Sequence, residues 1–317
     1  MKTVFRISVL VFGAAIISAG IYFLKGREKE TSNPFKYRVD KYSHVDPALI
    51  KFKEHASLKI DVPSIHAIAI DRQDRVYIST PKIILIFDKG LRKTGQIATQ
   101  EPAYCLEVAN DDHIYAGFKT DLAIFNQKGK QLNRIAFNPE KSILTAICST
   151  SKYLFIADAG EKQIKRLLKG KNAGELIPED ISYRFNPFVL PSAFFDIKKD
   201  GVKGVWVTNP GKHTLENYSI HGQFIKSWTR ASLKIEGFAG CCNPVHIAIR
   251  SNGNIITSEK GLNRIKEYSS SGELISVVAS PRMIGHQIEN PDIAVNSQDD
   301  VILLDNTVKK IRIFKRK

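Results

Sequence analysis

From Ser64 to the C-terminus, short apolar runs alternate with polar turns, and the alternation itself recurs as a larger unit. Each unit reads as an apolar strand, a polar turn, a β-branched strand, a loop, an aromatic-ended strand and a Gly-containing turn. The second strands are Val76-Tyr77-Ile78-Ser79, Ile114-Tyr115-Ala116-Gly117, Leu154-Phe155-Ile156-Ala157, Val205-Trp206-Val207-Thr208, Ile255-Ile256-Thr257-Ser258 and Val301-Ile302-Leu303-Leu304, about 38 to 51 residues apart. Units of this period with roughly four short strands each predict a β-propeller, all-β and six-bladed, with four-stranded antiparallel blades. Turns such as Asp88-Lys89-Gly90 and Asn126-Gln127-Lys128-Gly129 carry the residues that hairpins need, because Gly supplies a positive φ without a steric cost. No run after the N-terminus has helical periodicity.

The last unit ends soon after Ile311-Arg312-Ile313-Phe314 and lacks an outer strand. Left open, that edge would present unpaired backbone groups. Ser57-Leu58-Lys59-Ile60-Asp61 is a strand without a blade of its own, so the N-terminal strand is expected to close the ring. This arrangement resembles the NHL-type propellers. Prolines at 63, 102, 191, 244 and 291 precede inner strands, where a residue with no N–H to donate is tolerated.

The first thirty residues differ in kind. Residues 7–24 form an uncharged apolar stretch of 18, flanked by Lys2 and Arg6 on one side and by Lys25 and Arg27 on the other. Such a stretch nearly spans a bilayer core as a helix, and its apolar run continues past Ser18-Ala19-Gly20, where a cleavage site would sit. The expected organisation is a signal anchor or transmembrane helix over 1–30, a tether over 31–55 and the propeller over 56–317. The propeller is placed on the extracytoplasmic, periplasmic side. The chain carries a formal charge of +15, and the five basic and two acidic residues of the first thirty leave +12 for the rest. This balance favours anionic partners such as head groups, acidic glycans or acidic proteins. Lysine and arginine are scattered over all blades with no basic helix or stacking motif, which argues against nucleic acid.

One segment stands apart: Gly237-Phe238-Ala239-Gly240-Cys241-Cys242-Asn243-Pro244-Val245-His246, between the fourth and fifth blades. Adjacent cysteines joined by a trans peptide have Cα atoms about 3.8 Å apart, so a disulfide between them is strained and comparatively easy to reduce. Three states stay open: two thiols, a vicinal disulfide between Cys241 and Cys242, or a soft-metal site that includes His246. Cys105 and Cys148 fall in inner strands and read as packing residues.

In a four-stranded meander the blade-to-blade connection and the loop between second and third strands emerge on one face. The cysteine loop is therefore expected to share a face with Glu259, Lys260 and Arg264, and with Asp158, Asn209, Asn290, Asp292, Asp305 and Asn306. His246, Asp292 and Cys105 occupy one repeat position at the channel entrance, where propellers usually bind ligands. The candidate ligand-binding set is Cys241, Cys242, Asn243, His246, Glu259, Lys260, Arg264 and Asp292.

The segment Phe238-Ala239-Gly240-Cys241-Cys242-Asn243-Pro244, followed by Asn252-Gly253-Asn254-Ile255 and Arg264-Ile265-Lys266, is similar to a group of exported bacterial NHL-like propellers. The resemblance implies an extracytoplasmic, membrane-tethered propeller and supplies no chemistry. The chain lacks Gly-x-Ser-x-Gly, His-Glu-x-x-His and a phosphate-binding Gly loop, so the leading expectation is a non-enzymatic binding platform for an envelope protein or anionic ligand, without a cofactor. The alternatives are a lactonase- or esterase-like hydrolase resembling gluconolactonase-type propellers, with calcium or zinc held by Glu259, Asp292, Asp158 or Asp305, and a thiol-redox accessory protein.

Overall fold

The computed structural model describes residues 42–317, apart from 180, 182, 183, 202, 203, 286, 287, 289 and 290. The apolar stretch at 7–24 and Asn290 therefore lie outside the described residues. The chain forms six four-stranded antiparallel sheets; in five of them the strands pair in sequence order, and in the sixth a strand from the N-terminal end joins the last three strands of the chain. Blade 1 comprises Ile68–Ile70, Val76–Ser79, Ile83–Phe87 and Lys93–Ala98; blade 5 comprises His246–Ile249, Ile255–Ser258, Ile265–Tyr268 and Leu274–Ala279. The fold is a six-bladed β-propeller. Among the described residues no helix is long and apolar enough to cross a membrane.

The second strands that first betrayed the repeat, such as Val76–Ser79 and Ile255–Ser258, are buried at every position. Both of their faces meet a neighbouring blade, which is why they read as continuous β-branched and aromatic runs. The outer strand of blade 4 behaves oppositely: in Phe224–Thr229 only Trp228 is buried. The core is accordingly distributed between blades. Trp206, Leu215 and Trp228 of blade 4 pack with Ile247, Ile255 and Tyr268 of blade 5, and Phe238 of the connecting loop joins them.

Ring closure occurs as the sequence predicts, with a longer strand. Phe52–Lys59 pairs antiparallel with Lys310–Arg316, in the register Phe52 to Arg316 and Lys59 to Lys310. It thus begins five residues earlier than Ser57, inside the segment read as a tether, and stops before Ile60 and Asp61. Phe52 is the reason: it is fully buried in a cluster with Val278 and Phe314, contributing on the order of 2 kcal/mol of apolar burial. Arg312 fastens the seam by donating to Glu54 at 2.6 Å and to Asp305 at 3.4 Å. Arg316 reaches across to Glu267 of blade 5 at 2.8 Å.

Inner strands of all six blades surround a central cavity of about 190 Å³, into which Glu107, Cys148 and Lys198 contribute alongside aliphatic side chains.

Candidate functional site at the channel mouth

On one face of the ring, blade-to-blade connections and loops between second and third strands come together as the meander topology requires. They enclose a cavity of about 360 Å³ whose walls include His66, Tyr104, Lys119, Phe194, His246 and Asn306. Its rim is aromatic and cationic. His66 exchanges a hydrogen bond with the Ser64 hydroxyl at 2.9 Å and meets Tyr104 edge to face, with ring centres 5.8 Å apart. The Lys260 ammonium lies over the Phe194 ring at 4.6 Å, which ties the blade 5 loop to the cavity wall.

His246 stands between two carboxylates. Its Nδ1 is 3.7 Å from Asp196 Oδ2 and 3.6 Å from Asp292 Oδ1. Both acids also pin the ring. Asp196 accepts the N–H groups of Ile197 and Ile247, each at 2.8 Å, and so joins blades 4 and 5. Asp292 accepts from Ile293 at 2.8 Å and Ile68 at 3.1 Å, joining blades 6 and 1. Burial disfavours a charged imidazole, but Asp292 and then Asp196 outweigh it and hold the His246 pKa above its ordinary value. Asp196 escaped the sequence reading although its signal was present, since Asp196-Ile197 repeats the register of His246-Ile247 and Asp292-Ile293. Lys198, 3.5 Å from Asp196, extends the charged group into the channel. There, burial pushes the Glu107 carboxyl up to about 7.

The cysteine loop lies beside this mouth. Cys241 is exposed and Cys242 is 2% exposed, with their sulfur atoms 3.0 Å apart. Burial raises the Cys242 pKa, but hydrogen bonding with Ser192 and Cys241 and the nearby Lys260 ammonium bring it below the ordinary thiol value. The Cys241 thiol is held higher, chiefly by its hydrogen bond to Cys242. Gly240 takes φ of +75°, a conformation suited to glycine, and its carbonyl contacts the His213 ring. Asn243, itself buried, is paired on both sides with the Lys260 backbone: it accepts from N–H at 2.9 Å and donates to C=O at 3.1 Å. The Asn243 amide also donates to the Ala239 carbonyl.

Glu259 and Arg264, expected from the sequence among the ligand-binding residues of this face, are fully buried. Arg264 donates to Glu259 at 2.7 Å and to the Gly237 carbonyl at 3.1 Å. Lys266, which the sequence reading missed, pairs with the other Glu259 oxygen and donates to the carbonyls of Gly237 at 2.6 Å and Ile235 at 3.1 Å. The physical cause is the loop at 233–237, whose inward carbonyls need donors and find two buried cations neutralised in part by one carboxylate. These side chains hold the segment that leads into the cysteine loop and are not among the walls of the mouth cavity. Tyr268 completes the arrangement by donating to Glu236 O at 3.1 Å.

Four acids considered as metal ligands fall in separate places. Glu259 belongs to the buried cluster, and Asp158 accepts from Ile143 N at 2.9 Å and Gly160 N at 3.1 Å to brace its own loop. Asp305 meets Arg312 at the seam and Asp292 meets His246 at the mouth. Among the described residues, no three His, Cys, Asp or Glu side chains converge as a metal-binding group. Asn209 is likewise a brace, accepting from Val189 N and donating to Glu216, both at 2.9 Å.

No family model and no curated protein matches the chain. Solved structures do. A streptogramin B lyase is similar at a TM-score of 0.59 and 14% identity, covering 86% of this chain and 100% of that one. A protein of unknown function from Bacteroides thetaiotaomicron gives a TM-score of 0.62 at 13% identity, over 84% of this chain and 72% of that one. The WD40 propeller domain of Doa1 gives 0.55 at 14% identity, over 80% and 79%. At these identities the likeness establishes the propeller fold, which a lyase and a WD40 domain share.

Proposed function

We propose that this protein is a membrane-tethered, extracytoplasmic binding platform without catalytic activity of its own, and that its working face is the channel mouth with the cysteine loop. The supporting observation is the way the loop is held. Asn243 clasps Lys260 while Arg264 and Lys266 hold the carbonyls of the segment leading into the loop, so an exposed segment bearing Cys241 is fixed by buried polar groups. Burying charges is costly unless they are paired, and Glu259, Arg264 and Lys266 are buried together against the 233–237 segment that leads into this loop. Preorganisation of this kind suits a surface that presents fixed groups to a partner. Lys119 in the cavity wall and Lys260 beside it favour an anionic partner, either an acidic protein surface or a small anion. The apolar residues 7–24 supply the tether.

A second reading, an enzyme acting at the mouth, draws on His246 between its two carboxylates and on the neighbouring catalytically inactive virginiamycin B lyase from Staphylococcus aureus with quinupristin, in which one histidine is replaced by alanine.

The test uses the full chain, cross-linked in its native membranes and compared with two charge reversals. Lys260→Glu alters the mouth, and Arg72→Glu alters an exposed position on the opposite face. The proposal requires a partner retained by the wild type and by Arg72→Glu but lost from Lys260→Glu. Equal capture by all three sinks it, and substrate turnover abolished by His246→Ala would replace it with the enzymatic reading. Deleting residues 1–30 is expected to move the protein from the membrane to the soluble fraction.

A further inference from the structure

We propose that Cys241 and Cys242 are a thiol–disulfide exchange site for external disulfides, small-molecule or protein-borne, in which Cys241 attacks and Cys242 resolves. The two sulfur atoms lie 3.0 Å apart, yet their surroundings differ: Cys241 is open to solvent and Cys242 is sealed beneath it. An external disulfide can therefore reach only the first sulfur. The second can reach only its neighbour. The loop that carries both is fixed through Asn243 and Lys260, so the two thiols are held in place relative to each other. The Lys260 ammonium favours a thiolate at Cys242, in keeping with that thiol's lowered pKa. Cys105 and Cys148, buried in their inner strands and with pKa values raised by burial, have no such access.

The exchange balances as follows. Cys241, its proton passing to water, attacks one sulfur of RS–SR; the S–S bond breaks, one RS⁻ leaves and takes up a proton, and a mixed disulfide remains on Cys241. The Cys242 thiolate then attacks Cys241 Sγ, expelling the second RS⁻ and closing the bond between the two cysteines. The protein loses two electrons and two protons, and the external disulfide becomes two thiols. Running the sequence backwards with an external thiol reopens the pair. Closing and opening it alters the face that the proposed partner meets, so the inference deepens the platform reading; its chemistry is nonetheless read without any partner.

The experiment treats the reduced full chain with oxidised glutathione and follows it by intact mass and peptide mapping. Expected is a loss of two hydrogens on the wild-type peptide carrying Cys241 and Cys242, with no glutathione retained. Cys242→Ser, lacking the resolving thiol, should keep one glutathionyl group on Cys241. Cys241→Ser should stay unmodified, and Cys105 and Cys148 should stay unlabelled in every variant, which also reports that each is folded. A wild type that retains both thiols, or accumulates a stable mixed disulfide, overturns the proposal. So does labelling of Cys242 in Cys241→Ser at the rate seen for Cys241. Because no partner enters these readouts, their failure leaves the cross-linking result standing, and the reverse is equally true.

Discussion

Asn243 and Lys260 are joined as two strands of a sheet would be, with the Asn243 side-chain amide standing in for a peptide: O accepts at 2.9 Å and N donates at 3.1 Å. Replacing Asn243 by Ala removes both bonds together with the one to the Ala239 carbonyl, and leaves the Lys260 N–H and C=O to be satisfied otherwise. The expected loss is about 1–3 kcal/mol in denaturant unfolding. A functional signature should accompany it, because the same bonds hold the loop down over Cys242. Alkylation of Cys242 by a small maleimide should accelerate in Asn243→Ala while Cys105 and Cys148 remain protected. Unchanged Cys242 protection would show that the loop is held by other contacts.

How much of this was readable in advance follows from the range of the interactions. The six blades were legible because the second strands are buried on both faces, so their composition is dictated residue by residue. Closure was legible because an unpaired edge must be covered, though the burial of Phe52 moved the strand's start. The burial of Glu259 and Arg264 was not legible because burial of a charge depends on what lies opposite, here each other, Lys266 and the Gly237 carbonyl 27 residues before Arg264. Nothing local distinguishes such residues from a solvated turn. Asp196 was legible in principle through the repeat register, whereas Phe194 and Tyr104 became mouth residues only through the meeting of separate blades.

The cluster of Glu259, Arg264 and Lys266 has a pH signature. Burial brings the Lys266 pKa down to about 8, even with Glu259 beside it, against an ordinary value near 10.5 in the unfolded chain. Between these values the unfolded chain binds more protons than the folded one, so this group makes stability rise with pH, by at most about 1.4 kcal/mol per pH unit. Urea unfolding of the wild type and of Lys266→Met should therefore give a stability difference that shifts in favour of the wild type from pH 8 to pH 9.5. A difference flat with pH would mean that Lys266 stays charged in the folded protein throughout. Glu259→Ala, which strands two buried cations, is expected to cost about 3–5 kcal/mol.

His246 should titrate in the opposite sense. Its folded pKa is raised, so the stabilisation from its carboxylate neighbours is complete below the unfolded value of 6.5 and is lost as pH rises through the folded value. Proton NMR of the imidazole resonances should show a midpoint above 6.5 in the wild type. Asp292→Asn removes the nearer charge, at 3.6 Å, and should lower that midpoint while leaving the Asp196 contact at 3.7 Å. An imidazole with the same midpoint in both proteins would remove Asp292 as the cause. If an anion binds at this mouth, its affinity should fall across the same range.

Ring closure by a distant strand yields the most direct structural prediction. The seam joins Phe52–Lys59 to Lys310–Arg316 along nearly their whole lengths, and Arg312 adds ion pairs to Glu54 and Asp305 on either side. Deleting residues 1–41 leaves every one of these contacts in place, so that protein should unfold cooperatively at the wild-type temperature. Deleting residues 1–59 removes Phe52 from its cluster and exposes the whole edge of Lys310–Arg316. An open edge pairs with another chain when no strand covers it. The shorter protein should therefore self-associate in analytical ultracentrifugation and lose its sharp thermal transition, and adding a synthetic peptide of residues 50–61 should restore the monomer. A monomeric, cooperatively folded 60–317 fragment would show that five complete blades and a three-stranded sixth suffice to hold the ring.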